Sequence, residues 1–160
     1  MALKVEKVAV LGAGVMGAQI ATHLSNAGIP TFLFDMNQEL AEQGLEGMKK
    51  LKPSPVYNPK TLETITPCNY DDHLDKIGEV DWVIEVIAER LDWKQGLFEK
   101  IVPKMNATAI LTSNTSGLSQ ADMAASLPDD MKKRFFITHF FNPPRYMKLV
   151  ELVGGPETDL

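Results

Sequence analysis

Two sets of residues, near opposite ends of this 160-residue chain, have the types and spacing that chemistry requires. The first is Gly12-Ala13-Gly14-Val15-Met16-Gly17, with an acid, Asp35, 18 positions beyond the last glycine. Between a strand and a helix, such a turn cradles the pyrophosphate of a dinucleotide. The first glycine permits the tight turn, the second lets the phosphates approach the backbone, and the third lets helix and strand pack closely. Gly12, Gly14, Val15, Met16 and Gly17 are therefore predicted to hold a cofactor's phosphates. Asp35 is predicted to accept hydrogen bonds from the adenosine ribose hydroxyls. A 2′-phosphate would be repelled there, and Met36-Asn37 offers no cation to hold one, so the pattern selects NAD over NADP. The turn alone would serve FAD as well.

The second set lies in Thr138-His139-Phe140-Phe141-Asn142-Pro143-Pro144-Arg145-Tyr146-Met147-Lys148-Leu149-Val150-Glu151. His139 sits near the end of an apolar strand, at the edge where doubly wound sheets bind ligands. Asn142-Pro143-Pro144 turns the chain, and the apolar run after it returns towards the sheet, which carries Glu151 back in the direction of His139. A neutral histidine accepts a proton near pH 7, and a carboxylate beside it fixes the tautomer and stabilises the imidazolium. Removing hydride from an alcohol needs such a base. Spacing alone leaves open a histidine hydrogen-bonded within its strand and a glutamate on a solvated face.

The elements that would position these groups follow from periodicity. Residues 8–11 form a short apolar run ending in glycine, as a strand buried on both faces does. A helix is predicted over 15–27, with Met16, Ile20, Leu24 and Ala27 on one face and Gly28 as its stop. A second strand over 31–34 ends at Asp35, and a second helix runs over 37–50 with Asn37 as cap. Pro53, Pro55 and Pro59 exclude a continuous helix over 51–59. Downstream, strands are expected over 61–66, 81–87, 108–113, 135–141 and 147–153. Helices are expected over 70–76, 91–105 and 119–126. This alternation predicts an α/β fold, a Rossmann-type doubly wound, mostly parallel sheet with helices on both faces. Trp82, Trp93 and the phenylalanine pairs read as core or interface.

Residues 1–160 read as one NAD-binding domain, and Gly154-Gly155-Pro156 near the end suggests a domain cut from something longer. The net charge of −5 and the scattered basic residues give no footprint for nucleic acid. One cysteine, Cys68, permits no intrachain disulfide and fits a reducing compartment. No leader pattern and no membrane-spanning apolar run is seen, so a soluble, cytoplasmic protein is expected, and no metal site is expected.

Together with Ser113-Asn114-Thr115-Ser116, the segment from His139 to Glu151 resembles the 3-hydroxyacyl-CoA dehydrogenase family. The resemblance to its NAD-binding domain covers nearly the whole chain. It implies that His139 is the catalytic base and Glu151 its partner. It implies that Asn142 positions the substrate carbonyl and the histidine, and that Ser116 hydrogen-bonds the substrate's 3-oxygen. Within residues 83–94 it places Glu89 and Lys94 at the nicotinamide side of NAD, with Asn114 on the same loop. Without the resemblance, Ser113 and Ser116 are loop serines satisfying backbone groups, and Glu89 and Lys94 a solvated pair at a helix start.

The implied reaction is NAD-dependent oxidation of a (3S)-3-hydroxyacyl-CoA to the 3-ketoacyl-CoA, a step of fatty-acid β-oxidation, with an acyl-CoA as substrate. A dehydrogenase of another small 3-hydroxy acid, or a non-catalytic NAD-binding domain, are the alternatives. The chain departs from the family in two places. Its proline-rich 51–59 stands where the family has a long helical hairpin, so no CoA-binding residue carries over. The family's C-terminal helical domain, which closes the cleft and supplies homodimer contacts, is absent.

Overall fold

The computed structural model describes residues 4–159. Its sheet is built from short apolar runs: β1 (Val8–Leu11), β2 (Thr31–Asp35), β3 (Ile65–Asn69), β4 (Trp82–Glu85), β5 (Ile110–Ser113), β6 (Phe135–Phe140) and β7 (Val150–Gly154). The spatial order is β3-β2-β1-β4-β5-β6-β7, and every neighbouring pair is parallel except β6 with β7. The doubly wound, mostly parallel sheet expected from the alternation is therefore the fold. The order reverses at β1, whose neighbours are β2 and β4, and that switch point opens a crevice at the carboxyl ends of the strands.

Helices α1 (Val15–Asn26), α2 (Gln38–Gly47), α3 (Leu91–Ile101), α4 (Gln120–Ala124) and α5 (Asp129–Lys132) cover the two faces. Alternate strand residues point to opposite faces. Ala9 and Leu11 pack with Phe34, Phe98, Phe135 and Met131 on one side. Val8 and Val10 pack with Ile20, Leu24, Leu33 and Ile65 on the other. All four β1 residues are fully buried, which is why the run shows no polar alternation.

The element boundaries differ from the periodicity in places, for local reasons. Residues 61–64, read as the start of a strand, belong instead to a 3₁₀ segment, Pro59–Thr64, with Pro59 in its first turn and the Asn58 side chain accepting from the Lys60 amide. The strand begins only at Ile65, and it accommodates Pro67 because β3 is an edge strand. The short helix expected over 70–76 is a turn followed by a 3₁₀ segment, Leu74–Glu79. The helix expected over 91–105 ends at Ile101 and tightens into a 3₁₀ turn over Val102–Lys104, where Pro103 lacks a backbone donor. The last strand begins at Val150, so 147–149 belong to the connection.

The proline-rich stretch is held by the molecule's other end. Arg145 donates to the carbonyls of Ser54 at 2.7 Å and Val56 at 2.9 Å, and its guanidinium lies 3.8 Å from the centre of the Tyr57 ring. Tyr146 donates to the Ser54 carbonyl, and Asn26 to that of Pro55, each at 2.7 Å. Among the described residues no helix is long and apolar enough to cross a membrane.

His23, in the last turn of α1, has a buried Nδ1 without a hydrogen-bond partner among the described residues. Burial, and then the positive charge of Arg145, push its pKa below the ordinary value. The unfolded chain then takes up the proton more readily than the folded one. The stability this represents is present above the unfolded value, about 6.5, and is lost as pH falls from there through the folded value. Urea midpoints measured between pH 7 and pH 5 should decline more steeply for the wild type than for His23→Leu.

Candidate functional site

The glycine turn occupies the crevice at the switch point, and its three glycines serve different needs. Gly12 has φ +111°, and a Cβ there would lie 2.6 Å from the Val86 carbonyl oxygen. A Cβ on Gly17 would collide with the Gly12 carbonyl. Both are glycine because the protein's own backbone leaves no room. At Gly14 an added Cβ would meet nothing within 4 Å. Gly14 is also the N-cap of α1 and provides no side-chain cap, so amides of the first turn open outward. A dinucleotide's phosphates fit that cradle, since unsatisfied amides and the helix dipole both favour an anion. Val15, in this first turn, is largely exposed, and Met16 lines the adjoining cleft.

Asp35, at the end of β2, does more than face a ligand. Its carboxylate accepts from the Ala13 amide and from the Met36 amide, each at 2.7 Å, and so ties β2 to the glycine turn. On the outer side, Gly44 of α2 packs so closely on Ala13 that a Cβ would strike its carbonyl. Gly44 went unnoticed in the sequence because a single mid-helix glycine carries no signal of what packs against it.

A cleft of about 340 Å³ beside the turn collects most of the other predicted residues: Met16, Glu89, Lys94, Asn114, Ser116, His139 and Asn142. Glu151 joins them through β7. In the antiparallel β6–β7 register it stands directly opposite His139, and its Oε2 is 2.8 Å from His139 Nδ1. That contact leaves Nε2 as the nitrogen available to a reactant. The Phe141 ring, centred 4.6 Å from the imidazole, restrains the ring's tilt. The histidine is thus paired across strands and not within its own, while Glu151 still lies on a half-exposed face. Asn142 accepts at Oδ1 from Gln19 Nε2 at 3.2 Å, and Gln19 also donates to the Val15 carbonyl at 3.1 Å. The amide nitrogen of Asn142 is thereby turned away from Gln19. Asn114 stitches two strands: its side chain accepts from the Phe140 amide and its own amide donates to the Glu85 carbonyl, both at 2.8 Å.

Lys94 is 1% exposed and is not the solvated partner of Glu89. Its ammonium lies 2.6 Å from Oε1 of Glu85, which is itself fully buried, and 3.6 Å from Glu89. Glu85 also accepts from the Ile87 amide at 2.6 Å and from the Ser113 hydroxyl at 2.5 Å. Sequence reasoning missed Glu85, although an acid inside the apolar run 82–87 was a usable signal that a partner had to be found. Glu89 accepts from the Thr115 hydroxyl at 2.8 Å and the Ser116 amide at 3.0 Å. Burial alone would raise its pKa; the Ser116 amide, the Thr115 hydroxyl and the Lys94 charge outweigh this and hold it below the usual carboxylate value. Among the described residues no group of three or more His, Cys, Asp and Glu is placed to hold a metal ion.

The family model described as "3-hydroxyacyl-CoA dehydrogenase, NAD binding domain" matches residues 7–160. A probable 3-hydroxyacyl-CoA dehydrogenase of Bacillus subtilis is 42% identical over 97% of this chain and 22% of its own length. A putative fatty acid oxidation complex trifunctional enzyme of Rickettsia prowazekii is 41% identical over 94% of this chain and 22% of its own length. Among solved structures, a 3-hydroxybutyryl-CoA dehydrogenase of Escherichia coli matches with a TM-score of 0.84 at 34% identity, over 98% of this chain and 34% of that one. The chain thus spans between 22% and 34% of the length of these proteins.

Two outcomes are expected from the site's geometry. Glu85→Gln should cost about 3–5 kcal/mol in chemical denaturation, because Lys94 is left charged, buried and without its partner; adding Lys94→Met should restore most of it. Gly14→Ala should leave the unfolding midpoint nearly unchanged while raising the NADH dissociation constant about tenfold, a loss of about 1.4 kcal/mol. Gly17→Ala should lower the midpoint itself.

Proposed function

The chain belongs to the 3-hydroxyacyl-CoA dehydrogenase family, as its NAD-binding domain, and from that premise we propose that it is the cofactor-binding and base-bearing part of an enzyme that reversibly oxidises (3S)-3-hydroxyacyl-CoA to 3-ketoacyl-CoA in fatty-acid β-oxidation. The observation that carries the reading is the 2.8 Å contact between His139 and Glu151 at the edge of the cofactor crevice. NAD, when bound, supplies the hydride acceptor for C3 of the substrate. Gly12, Gly14, Val15, Met16 and Gly17 hold its phosphates, Asp35 its adenosine ribose, and Glu89, Lys94 and Asn114 border its nicotinamide end.

His139 takes the hydroxyl proton at Nε2 as the C3–H bond gives up its electron pair. The resulting imidazolium is stabilised by Glu151, which also keeps the neutral ring protonated at Nδ1 before reaction. Ser116 hydrogen-bonds the 3-oxygen. Asn142, its Oδ1 engaged by Gln19, presents its amide protons to the substrate carbonyl. Proton transfer of this kind contributes roughly 10²–10⁴-fold to the rate.

The remaining requirement is exclusion of water, which an open cleft does not meet. Leu149, Val150, Leu152 and Val153 lie 41–62% exposed along and just before β7, beside Glu151. In the complete protein the C-terminal helical domain covers this edge, closes over His139 and supplies the homodimer contact. The buried free thiol of Cys68 suits a reducing, cytoplasmic setting.

In the complete enzyme, His139→Ala should abolish reduction of acetoacetyl-CoA while leaving NADH affinity nearly intact, as read by steady-state kinetics and fluorescence titration. Equal loss of both would remove His139 from the role of base. The 160-residue chain by itself should bind NADH and turn over acetoacetyl-CoA poorly.

A further inference from the structure

Beside the glycine turn, a second cleft of about 350 Å³ opens between the ends of β2 and β4. Gly12, Gly14 and Asp35 form part of its wall, so it adjoins the phosphate cradle on the side away from His139, which does not line it. Met36 and Trp93, 74% and 51% exposed, supply apolar surface at its rim. Trp93 is thus neither a core residue nor packed away: it fronts a ligand-sized hollow. The remaining aromatic in the lining is Tyr70, just after β3.

Tyr70 is fixed and yet incomplete. Its ring stacks on Phe34, with centroids 5.5 Å apart and planes 22° apart, and the Lys100 ammonium lies 5.5 Å from its centre. Its hydroxyl is buried and has no hydrogen-bond partner among the described residues. Burial, and then the negative charges of Asp35 and Glu85, push the phenol's pKa far above its ordinary value, so the group remains a protonated donor at any physiological pH. Asp35 does not accept from it: its hydrogen bonds are from the Ala13 and Met36 amides. Nor does Glu85, whose hydrogen bonds are from Lys94, Ile87 and Ser113. A buried donor left without a partner is costly, and one that lines a ligand-sized cleft can be completed by what binds there.

We infer that Tyr70 is an adenosine-contacting residue of the cofactor site, its hydroxyl donating a hydrogen bond to a ribose oxygen or purine nitrogen of the dinucleotide held in this cleft. The inference rests on the glycine turn being the phosphate cradle. With the phosphates across Gly14 and the nicotinamide end towards His139, the other half of the dinucleotide faces Asp35, Met36, Trp93 and Tyr70. Adenosine presents lone pairs on its ring nitrogens and ribose oxygens, and a locked, protonated phenol is complementary to them. Among the described residues, the Tyr70 hydroxyl is the one donor of that wall that is both buried and without a partner.

Tyr70→Phe tests this, because it keeps the stack on Phe34 and deletes one oxygen. For the 160-residue chain, the dissociation constants of NADH and of AMP should both rise about fivefold, the range expected for one hydrogen bond. The thermal midpoint without nucleotide should rise, since an unsatisfied buried group has been removed. Affinity and stability then move in opposite directions, which a purely structural hydroxyl would not produce. Unchanged nucleotide affinities overturn the inference, as does a loss of affinity accompanied by a lower midpoint. A wild-type chain that binds neither nucleotide overturns the cofactor reading itself; wild type and variant binding both nucleotides equally overturns the role of Tyr70 alone.

Discussion

The buried ion pair of Glu85 and Lys94 is the constraint around which the crevice is arranged. Both side chains are essentially inaccessible to water, so each charge needs the other, and the loss of either leaves an ion in a medium that solvates it poorly. Lys94 lies in the first turns of α3, where the helix dipole disfavours a cation. Its position there is sustained by the carboxylate 2.6 Å away and by the Ile87 carbonyl at 3.2 Å. Through Ile87 and Ser113, Glu85 also fixes the loop that passes over Gly12 and the strand end that leads into Asn114, Thr115 and Ser116. One carboxylate thereby sets the relative placement of β4, β5 and α3 where the cleft requires it.

The crevice is bounded by two structures of different character. On one side, the β1–α1 turn is shaped by steric exclusion, with Gly12 and Gly17 leaving no volume for side chains and Gly14 leaving volume that the protein does not fill. On the other, the β6–β7 pair is shaped by register: antiparallel pairing puts Glu151 across from His139 without any loop having to be ordered for the purpose. Side-chain hydrogen bonds join the two. Gln19 spans from the first turn of α1 to Asn142, and Asn114 spans from β5 to the backbone at Phe140. The phosphate cradle and the His139 side of the cleft are thus parts of one connected framework.

The proline-rich stretch belongs to the same framework. A segment with Pro53, Pro55 and Pro59 lacks donors for a regular element, so its carbonyls are satisfied from outside, by Arg145, Tyr146 and Asn26. Arg145 and Tyr146 lie in the connection that follows Asn142, so the turn carrying one wall of the cleft is braced against a segment about ninety residues earlier in the chain.

How much of this could be read in the residues themselves depends on the range of the interaction. The glycine turn, its flanking strand and helix, Asp35 and the doubly wound sheet were legible because each rests on local geometry: tight turns, helix entry, and the unbroken apolar runs that burial on both faces imposes. Boundaries near Pro59 and Pro103 shifted because a missing donor favours a 3₁₀ turn over a longer element. The partnership of His139 with Glu151 was suggested by a turn and a returning strand, but register decided it, and register is a property of two strands together. Glu85 stood out only as an acid in an apolar run, with nothing to name its partner, and Gln19, Gly44 and Tyr70 carried no pattern at all. Their significance lies in what other segments bring within a few ångströms of them: an ammonium from α3, an amide from beyond β6, the glycine turn's backbone, and an empty wall beside Asp35. The sequence by itself determined where a dinucleotide's phosphates could lie and which residues could move a proton. Only the tertiary structure decided which charges are buried, which hydrogen bonds are complete and which are left open, because desolvation and pairing are settled by neighbours that are distant along the chain.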